Sequence, residues 1–231
     1  MATLVDKPAE AGPSSSTRRG RGRADRVLRL VSLLCLFCGL LLLAGFAYGM
    51  ADGVFRERQL TDRWRQQLAM TPPPAVPVEQ PQPDLMQPVG GVDFAIRVPR
   101  LGYYAAVREG VDLTILYSGP GHYPGTPWPG QRGMVAVAAH NVYWIDFGRL
   151  QAGDLVKLES RWGTYTYRIT SRRVVEAGDR TILVHTLGPR LTLTTCWPLW
   201  AGEFATQRLV FLADQVDPAP ARVPLGDQPA G

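Results

Sequence analysis

The arrangement of hydrophobic and polar positions divides the chain into an apolar N-terminal segment and a C-terminal part with strand-like alternation. From Leu30 to Ala51 no charged residue occurs across 22 positions. A helix of that length rises about 33 Å, enough to cross the ~30 Å hydrocarbon core of a bilayer. From about Gly90 onward, apolar residues recur at every second position, as in VDFAIRV (92–98). The pattern predicts one membrane-spanning helix followed by a β-rich domain.

The alternating part contains a series of short predicted strands separated by glycine- and proline-rich turns such as GPGHYPGTPWPGQRG. The strand candidates are YYAAV (103–107), LTILY (113–117), GMVAVAA (133–139), LVKLE (155–159), GTYTYRIT (163–170), RRVVE (172–176), RLTLTT (190–195) and QRLVFLA (207–213). Many short strands without a convincing helix are typical of an antiparallel barrel or sandwich. We therefore expect an all-β domain.

The segment between the apolar run and the strands predicts a stalk and a spacer. Residues 53–70 have helical spacing, with Leu60, Trp64 and Leu68 four apart, and residues 71–88 contain seven prolines. Such a stretch favours extended polyproline II, a semi-rigid spacer. The expected organisation is a basic cytoplasmic tail (1–29, disordered over 1–17), an anchor (30–51), a stalk and Pro-rich linker (52–89), a folded domain (90–216) and a disordered tail (217–231).

The basic charge is nearly all arginine and is concentrated before the apolar segment, where six arginines lie between 18 and 29. An arginine–glycine run can bind nucleic acid, but arginines packed against an apolar helix more often mark its cytoplasmic end. Four further arginines follow the segment, at 56, 58, 63 and 65. The count favours a cytoplasmic N-terminus, an extracellular domain and no nucleic-acid partner. The apolar run is too long for a cleaved signal peptide.

The three cysteines divide between the two parts of the chain. Cys35 and Cys38 lie inside the apolar segment as CLFC, where packing against lipid is the simpler interpretation than a redox or metal pair. Cys196 is then the only thiol of the outer domain. Structural cysteines outside the cytoplasm tend to pair as disulfides, so a single one there is a candidate reactive group.

The surroundings of Cys196 support that interpretation. Alternation in RLTLTTC places Leu191, Leu193 and Thr195 on one face, and Thr192, Thr194 and Cys196 on the other, more polar one. A catalytic thiol needs a base or a positive neighbour. His140 ends the predicted strand MVAVAAH, and Arg208 begins a strand that a hairpin would return beside Cys196. For His122, in a glycine–proline turn, and His185, in an apolar run, a structural or solvent-exposed role is expected.

These residues resemble the sortases, the cysteine transpeptidases of Gram-positive and related bacterial envelopes. The resemblance rests on TLTTC (192–196), the histidine in AAHN, the arginine twelve residues after the cysteine, the stretch leading from Leu101 to His140, and FGRLQAGDLV after it. It covers roughly 90–216 and is strongest toward classes D, E and F. Ala139 and Asn141 flank the histidine where many relatives have glycine and arginine, so no subclass is chosen.

The resemblance implies a closed antiparallel β-barrel of about eight strands with short helical turns, preceded by the membrane helix. It implies that Cys196 attacks a C-terminal sorting motif of LPxTG type to form a thioacyl-enzyme. His140 would act as acid and base, Arg208 would stabilise the oxyanion, and Thr195 would help orient the acyl oxygen. The partners implied are surface proteins or pilins bearing the motif, and an amine acceptor such as a cell-wall precursor or a pilin lysine. No cofactor or metal is required.

Two other functions fit parts of the sequence. An L,D-transpeptidase that cross-links peptidoglycan would also use cysteine, histidine and arginine, but its Ser-x-Gly-Cys signature differs from the residues that precede Cys196 here. A non-enzymatic envelope β-domain that binds peptides would leave Cys196 unreactive.

Overall fold

The computed structural model describes residues 16–183 and 185–219. The chain divides into two compact units, Met1–Met50 and Ala51–Gly231. The disorder expected for 1–17 falls almost wholly outside the described residues. The expected C-terminal tail does so from residue 220 onward.

A single long helix, α1 (Ser16–Met70), carries the apolar segment. Its part from Arg23 contains a window of mean hydropathy 2.6, none of which is buried, and by length and composition it is a candidate membrane span. Its leucines and phenylalanines are exposed along the first unit, which is the surface expected of a helix surrounded by lipid rather than by protein. The prediction of one N-terminal apolar helix is confirmed.

The second unit contains a closed eight-stranded barrel. The strands are β1 (Phe94–Val98), β2 (Tyr103–Glu109), β3 (Gly121–His122), β4 (Met134–Ala139), β5 (Leu155–Ser160), β6 (Gly163–Glu176), β7 (Arg190–Trp197) and β8 (Gln207–Asp217). Around the barrel their order is β1-β2-β3-β4-β7-β8-β6-β5. One-turn helix α2 (Leu113–Leu116) and 3₁₀ turns at Pro99–Leu101, Ile145–Arg149, Arg180–Ile182 and Leu199–Phe204 connect them. The predicted eight-stranded barrel is confirmed.

The barrel differs from the prediction in three details. The sheet is mixed, because β2–β3 and β4–β7 are parallel pairs. The two strands predicted at 163–170 and 172–176 form one long strand, β6, whose pairing with β8 shifts register twice. The strand predicted at 113–117 is instead helix α2, because the Asp112 carboxylate accepts the Thr114 and Ile115 N–H groups and so caps a helical turn.

The barrel interior is filled by the side chains that the alternation placed on one face. Tyr165, Tyr167 and Ile169 of β6 are buried there beside Leu191 and Leu193 of β7. Large aromatic side chains complete the layer, including Trp144, Phe147, Trp162, Phe94 and Phe211. Fully burying one such side chain stabilises the fold by roughly 1.5–3 kcal/mol, so this interior fixes the strand register.

The C-terminal part of α1 packs against the outside of the barrel within the second unit. Trp64 is only 1% exposed and lies with Val92, Ala95 and Ala106 in a second apolar cluster. The small side chains of the two alanines leave room for the indole. Thr61 Oγ1 accepts the N–H of Ala106, from β2, at 3.0 Å. The predicted stalk is therefore part of the folded unit.

The Pro-rich linker also lies against the barrel instead of standing away from it as a spacer. The Val78 N–H donates to Trp162 O at 2.9 Å and the Gln80 N–H to Gly130 O at 3.1 Å, and Tyr165 donates its hydroxyl proton to Val78 O. Prolines lack an N–H group, but the residues between them keep theirs and bond the barrel's carbonyl groups. The expectation of a free spacer is corrected, whereas the domain boundary at residue 90 remains a prediction.

Replacing Trp64 by alanine tests the helix contact. We expect Trp64→Ala in the full chain to lose roughly 3–5 kcal/mol of stability, since a buried indole is removed and a cavity is left. Thermal unfolding in detergent measures the change. Phe55→Ala on the same helix is the matched control, because Phe55 is 60% exposed, and it should have a small effect. Equal losses from both variants would show that the helix does not depend on this contact.

Candidate active site

Cys196 lies next to the end of β7, with β4 on one side and β8 on the other. The two residues before it, Thr194 and Thr195, are buried, whereas Cys196 is partly exposed. A partly exposed thiol at a strand end is accessible to a ligand while the neighbouring backbone is held by the sheet. Cys196 thus has the accessibility that a nucleophile needs.

Arg208 is the residue directly opposite Cys196 in the antiparallel β7–β8 pair. Directly opposed residues project to the same face, with Cβ atoms about 4.5–5.5 Å apart. The Arg208 Nη1 group donates to Gln207 O at 3.0 Å, and the side chain is partly buried, so the guanidinium has a defined anchor at the strand end. The hairpin pairing predicted from the sequence is present in the structure.

His140 follows directly after Ala139, the last residue of β4, and Ala139 is paired with Thr195. Continuing this parallel register by one residue brings His140 level with Cys196. The His140 carbonyl accepts the N–H groups of Tyr143 at 3.0 Å and Trp144 at 3.3 Å. Trp144 is buried and its ring stacks on that of Phe147 with centroids 4.3 Å apart, so the loop after His140 is firmly packed.

The three predicted site residues therefore occupy one row across three neighbouring strands, in the order His140, Cys196, Arg208. We call it the catalytic row because the sequence predicts catalytic roles for these three residues. Thr195 is placed differently, because its side chain faces the interior between Ala139 and Leu209 and is 2% exposed. Its Oγ1 has no hydrogen-bond partner among the described residues.

The face of β7 that carries Cys196 is less open than its threonines suggested. Thr192 and Thr194 are both buried, because Thr192 donates to the Met134 sulfur at 2.7 Å and Thr194 shares a 3.0 Å hydrogen bond with the Tyr123 hydroxyl. Tyr123 comes from the turn after β3, a contact that alternation within β7 could not indicate. Of this strand, only Arg190 at its start and Cys196 and Trp197 at its end remain accessible.

Asn141, the residue directly after His140, has no role predicted from the sequence. It is buried, and its Nδ2 group lies 3.5 Å from Gly202 O in the 3₁₀ turn that follows Cys196. Asn141 thus connects the end of β4 to the loop between Cys196 and Arg208. The sequence feature that could have indicated this contact is the asparagine directly after His140.

The other two histidines lie outside the catalytic row. His185 is exposed in the loop before β7. His122 is fully buried, with Nδ1 3.0 Å from Glu109 Oε2 and 3.6 Å from Asp93 Oδ2. Its Nε2 lies 3.1 Å from Pro127 O, so that nitrogen donates. Both positions agree with the structural or solvent-exposed role predicted for these two histidines.

The side chains of Asp93, Glu109 and His122 shift one another's pKa values. Burial lowers the pKa of His122, but the neighbouring carboxylates of Asp93 and Glu109 outweigh it and raise the pKa to about 9. Burial raises the pKa of Asp93 to about 6, and the hydrogen bond from His122 lowers the pKa of Glu109. The carboxylate oxygens and the imidazole nitrogen of these three residues lie within 4.8 Å of one another, and such a set could hold a metal ion. The 3.0 Å distance between His122 Nδ1 and Glu109 Oε2 is that of an imidazolium–carboxylate pair.

This group predicts how stability depends on pH. The folded-state pKa of His122, about 9, exceeds its unfolded value of ~6.5, so its contribution is complete below ~6.5 and lost as pH rises toward 9. The raised Asp93 pKa acts in the same direction at lower pH. We expect the melting temperature of the full chain to fall between pH 7 and 9, and to fall less in Glu109→Gln. His185→Gln should keep the wild-type profile, and parallel profiles for wild type and Glu109→Gln would contradict the assignment.

Comparison with known proteins identifies the family. The sortase domain profile matches residues 96–216, which are 121 of the 231 residues. Sortase D of Bacillus subtilis (strain 168) is 27% identical over 129 residues, which cover 55% of this chain and 65% of that protein. The chain therefore belongs to the sortase family, and it spans 65% of the length of this relative.

Solved structures agree with this assignment. Sortase D5 of Clostridium perfringens superposes with a TM-score of 0.56 at 19% identity, over 70% of this chain and 98% of that one. A variant of sortase E from Streptomyces avermitilis gives 0.50 at 29% identity, over 56% and 91%. At 19% identity the first likeness shows the fold alone. The closed barrel is thus a fold that this chain shares with sortases.

Proposed function

We propose that this chain is a membrane-anchored cysteine transpeptidase that cleaves a C-terminal sorting motif of LPxTG type and transfers the acyl group to an amine. The observation that carries the proposal is the catalytic row, which places a partly exposed cysteine between a histidine and an arginine at one end of a sortase-family barrel. An L,D-transpeptidase is not supported, because the family match is to sortases.

The first half-reaction forms a thioester on Cys196. The Sγ thiolate attacks the carbonyl carbon of the threonine in the motif, and the bond from that carbon to the following nitrogen breaks. His140, as imidazolium, gives its proton to the departing amine. The packed loop after His140 donates the Tyr143 and Trp144 N–H groups to the His140 carbonyl and so holds this residue at the strand end, which fixes the position from which the proton is delivered.

The second half-reaction transfers the acyl group. An incoming amine, from a cell-wall precursor or a pilin lysine, attacks the thioester carbonyl, the carbon–sulfur bond breaks and Sγ leaves as thiolate. The proton lost by the amine returns to His140, which restores the starting charges. Nothing in this sequence of steps needs a cofactor.

Arg208 stabilises the negative oxygen that develops on the carbonyl in both halves. Its position opposite Cys196 supports this role, and its bond to Gln207 O limits its motion, as a preorganised donor requires. For Thr195 we propose that it orients the acyl oxygen only through the position of β7, because its own side chain is buried in the interior.

The rim around the catalytic row suits an apolar peptide. Trp200 and Phe204, in the turn between Cys196 and Arg208, are 83% and 90% exposed, and Val142 and Ile145 after His140 are also exposed. Exposed apolar side chains on both sides of a site mark a binding surface. We propose that they contact the leucine and proline of the motif in the sorted protein.

The apolar helix and its basic flank support a membrane location. We propose that residues 1–29 are cytoplasmic, 30–51 span the bilayer once, and the domain at 90–216 is extracellular. The six arginines before the segment set this orientation by the positive-inside rule.

A thioacyl-capture experiment tests the proposal. Incubating the full chain with a sorting-motif peptide should add the acyl mass to Cys196, and Cys196→Ala should show no adduct and no transpeptidation. Because Cys196 is partly exposed, its loss should leave the melting temperature nearly unchanged. A non-enzymatic domain predicts no adduct in either protein. His140→Ala should lose acyl transfer whereas His185→Ala, the exposed control, should keep it.

Arg208→Lys tests the oxyanion role. Lysine keeps the positive charge but not the planar fork of donors, and loss of such a donor costs roughly 10²–10³ in rate. We therefore expect Arg208→Lys to fold normally and lose most of its steady-state transpeptidation. Arg190→Lys is the matched control, since Arg190 begins the same strand pair and bonds Asp214 at 2.9 Å. A transpeptidation rate for Arg208→Lys within threefold of wild type would contradict the oxyanion role of Arg208.

A further inference from the structure

A basic cleft on the second unit is lined by none of the residues of the catalytic row. Its walls come from the Asp52–Arg63 part of α1, the Gly90–Gly91 turn, the end of β2 and helix α2, and it encloses about 650 Å³. All of these elements belong to the folded unit that begins at Ala51. The barrel chemistry proposed above makes no use of this cleft.

Three arginines line the cleft: Arg56, Arg63 and Arg108. Asp52 is the one acidic residue among the lining residues, and its carboxylate is 2.7 Å from Arg56 Nε. Arg108 donates from Nη1 to Ser118 Oγ at 2.8 Å, which fixes the direction of its guanidinium. The cleft therefore keeps an excess of positive charge, presented by planar forks of N–H donors that match the geometry of phosphate.

The same cleft has an apolar side. Leu113 of α2 is 73% exposed, Tyr117 is partly exposed, and Leu60 of α1 lies between Arg56 and Arg63. A site for a small free anion gains nothing from exposed leucine. A ligand with a charged head joined to an apolar body uses both sides.

The chain brings such a ligand within reach. Arg56 follows Ala51, the last residue of the apolar run, by only five residues, which span at most about 18 Å of chain however they are arranged. Lipid headgroups occupy the layer just outside the hydrocarbon core.

We propose that this cleft binds the phosphate headgroup of an anionic membrane lipid. The guanidinium groups of Arg56, Arg63 and Arg108 hold the phosphate, and Leu60 and Leu113 contact the glycerol and the start of the acyl chains. No covalent step is involved. The site uses none of the residues of the catalytic row and rests only on the membrane location proposed above for residues 30–51.

Native mass spectrometry of the full chain in detergent tests this site with two probes, phosphatidylglycerol and phosphatidylcholine. Wild type should retain phosphatidylglycerol in preference to phosphatidylcholine. The double variant Arg56→Gln/Arg63→Gln should weaken phosphatidylglycerol binding by about fivefold per arginine removed, the factor that corresponds to ~1 kcal/mol each.

The matched control is Arg58→Gln/Arg65→Gln, which removes the same charge at the same spacing from the same helix, outside the cleft. It should bind phosphatidylglycerol nearly as wild type does. Equal losses from both double variants would overturn the site in favour of general surface attraction. Complete displacement of the lipid by inorganic phosphate would also overturn it, because the apolar side of the cleft would then contribute nothing. Acyl transfer is not measured, so failure here is separate from failure of the catalytic proposal.

Discussion

The pairing of β7 with β4 on one side and β8 on the other is the constraint on which the site depends. The β4 pairing is parallel and brings together residues more than fifty positions apart, while the β8 pairing is a local antiparallel connection. Because side chains alternate along strands, a shift of one residue in either pair would turn its member of the catalytic row to the opposite face. The buried Leu191 and Leu193, in register with Val135 and Val137, make such a shift costly. Packing of the interior thus fixes which side chains share a face at the strand ends.

The sequence carried the parts of the fold that depend on local pattern. Alternation identified seven of the eight strands in whole or in part, and the strand ends at His140, Cys196 and Arg208 were recognised from a histidine, a cysteine and an arginine beside turn signals. The β7–β8 pairing followed because one short loop joins those strands. The apolar span was equally direct, since length and absence of charge suffice to predict it.

What the sequence did not indicate depended on contacts between distant residues. In the sequence, the β5–β6 hairpin separates β4 from β7, and no residue spacing predicts that these two strands pair. The LTILY segment alternates poorly and is β-branched, yet the Asp112 carboxylate caps it as a helix. The sequence placed Val78 and Gln80 in a free spacer. Their hydrogen bonds are to carbonyl groups about fifty to eighty positions away, and no local pattern indicates such bonds. In each case tertiary contact outweighed local preference.

The bonds between the linker and the barrel change how the domain moves. A flexible linker of eighteen residues would let its two ends wander apart by roughly 23 Å, and the barrel would sample many orientations about the helix at 51–70. Here Val78 and Gln80 are bonded near the start of β6 and of β4, and Trp64 is buried against β1 and β2, so that freedom is removed. The barrel is therefore fixed relative to the helix at 51–70. The linker bonds lie at one end of β4 and β6, and the catalytic row lies at the opposite end. The catalytic row is then confined to a small, fixed volume relative to that helix, and the entropy of orienting the barrel is lost during folding.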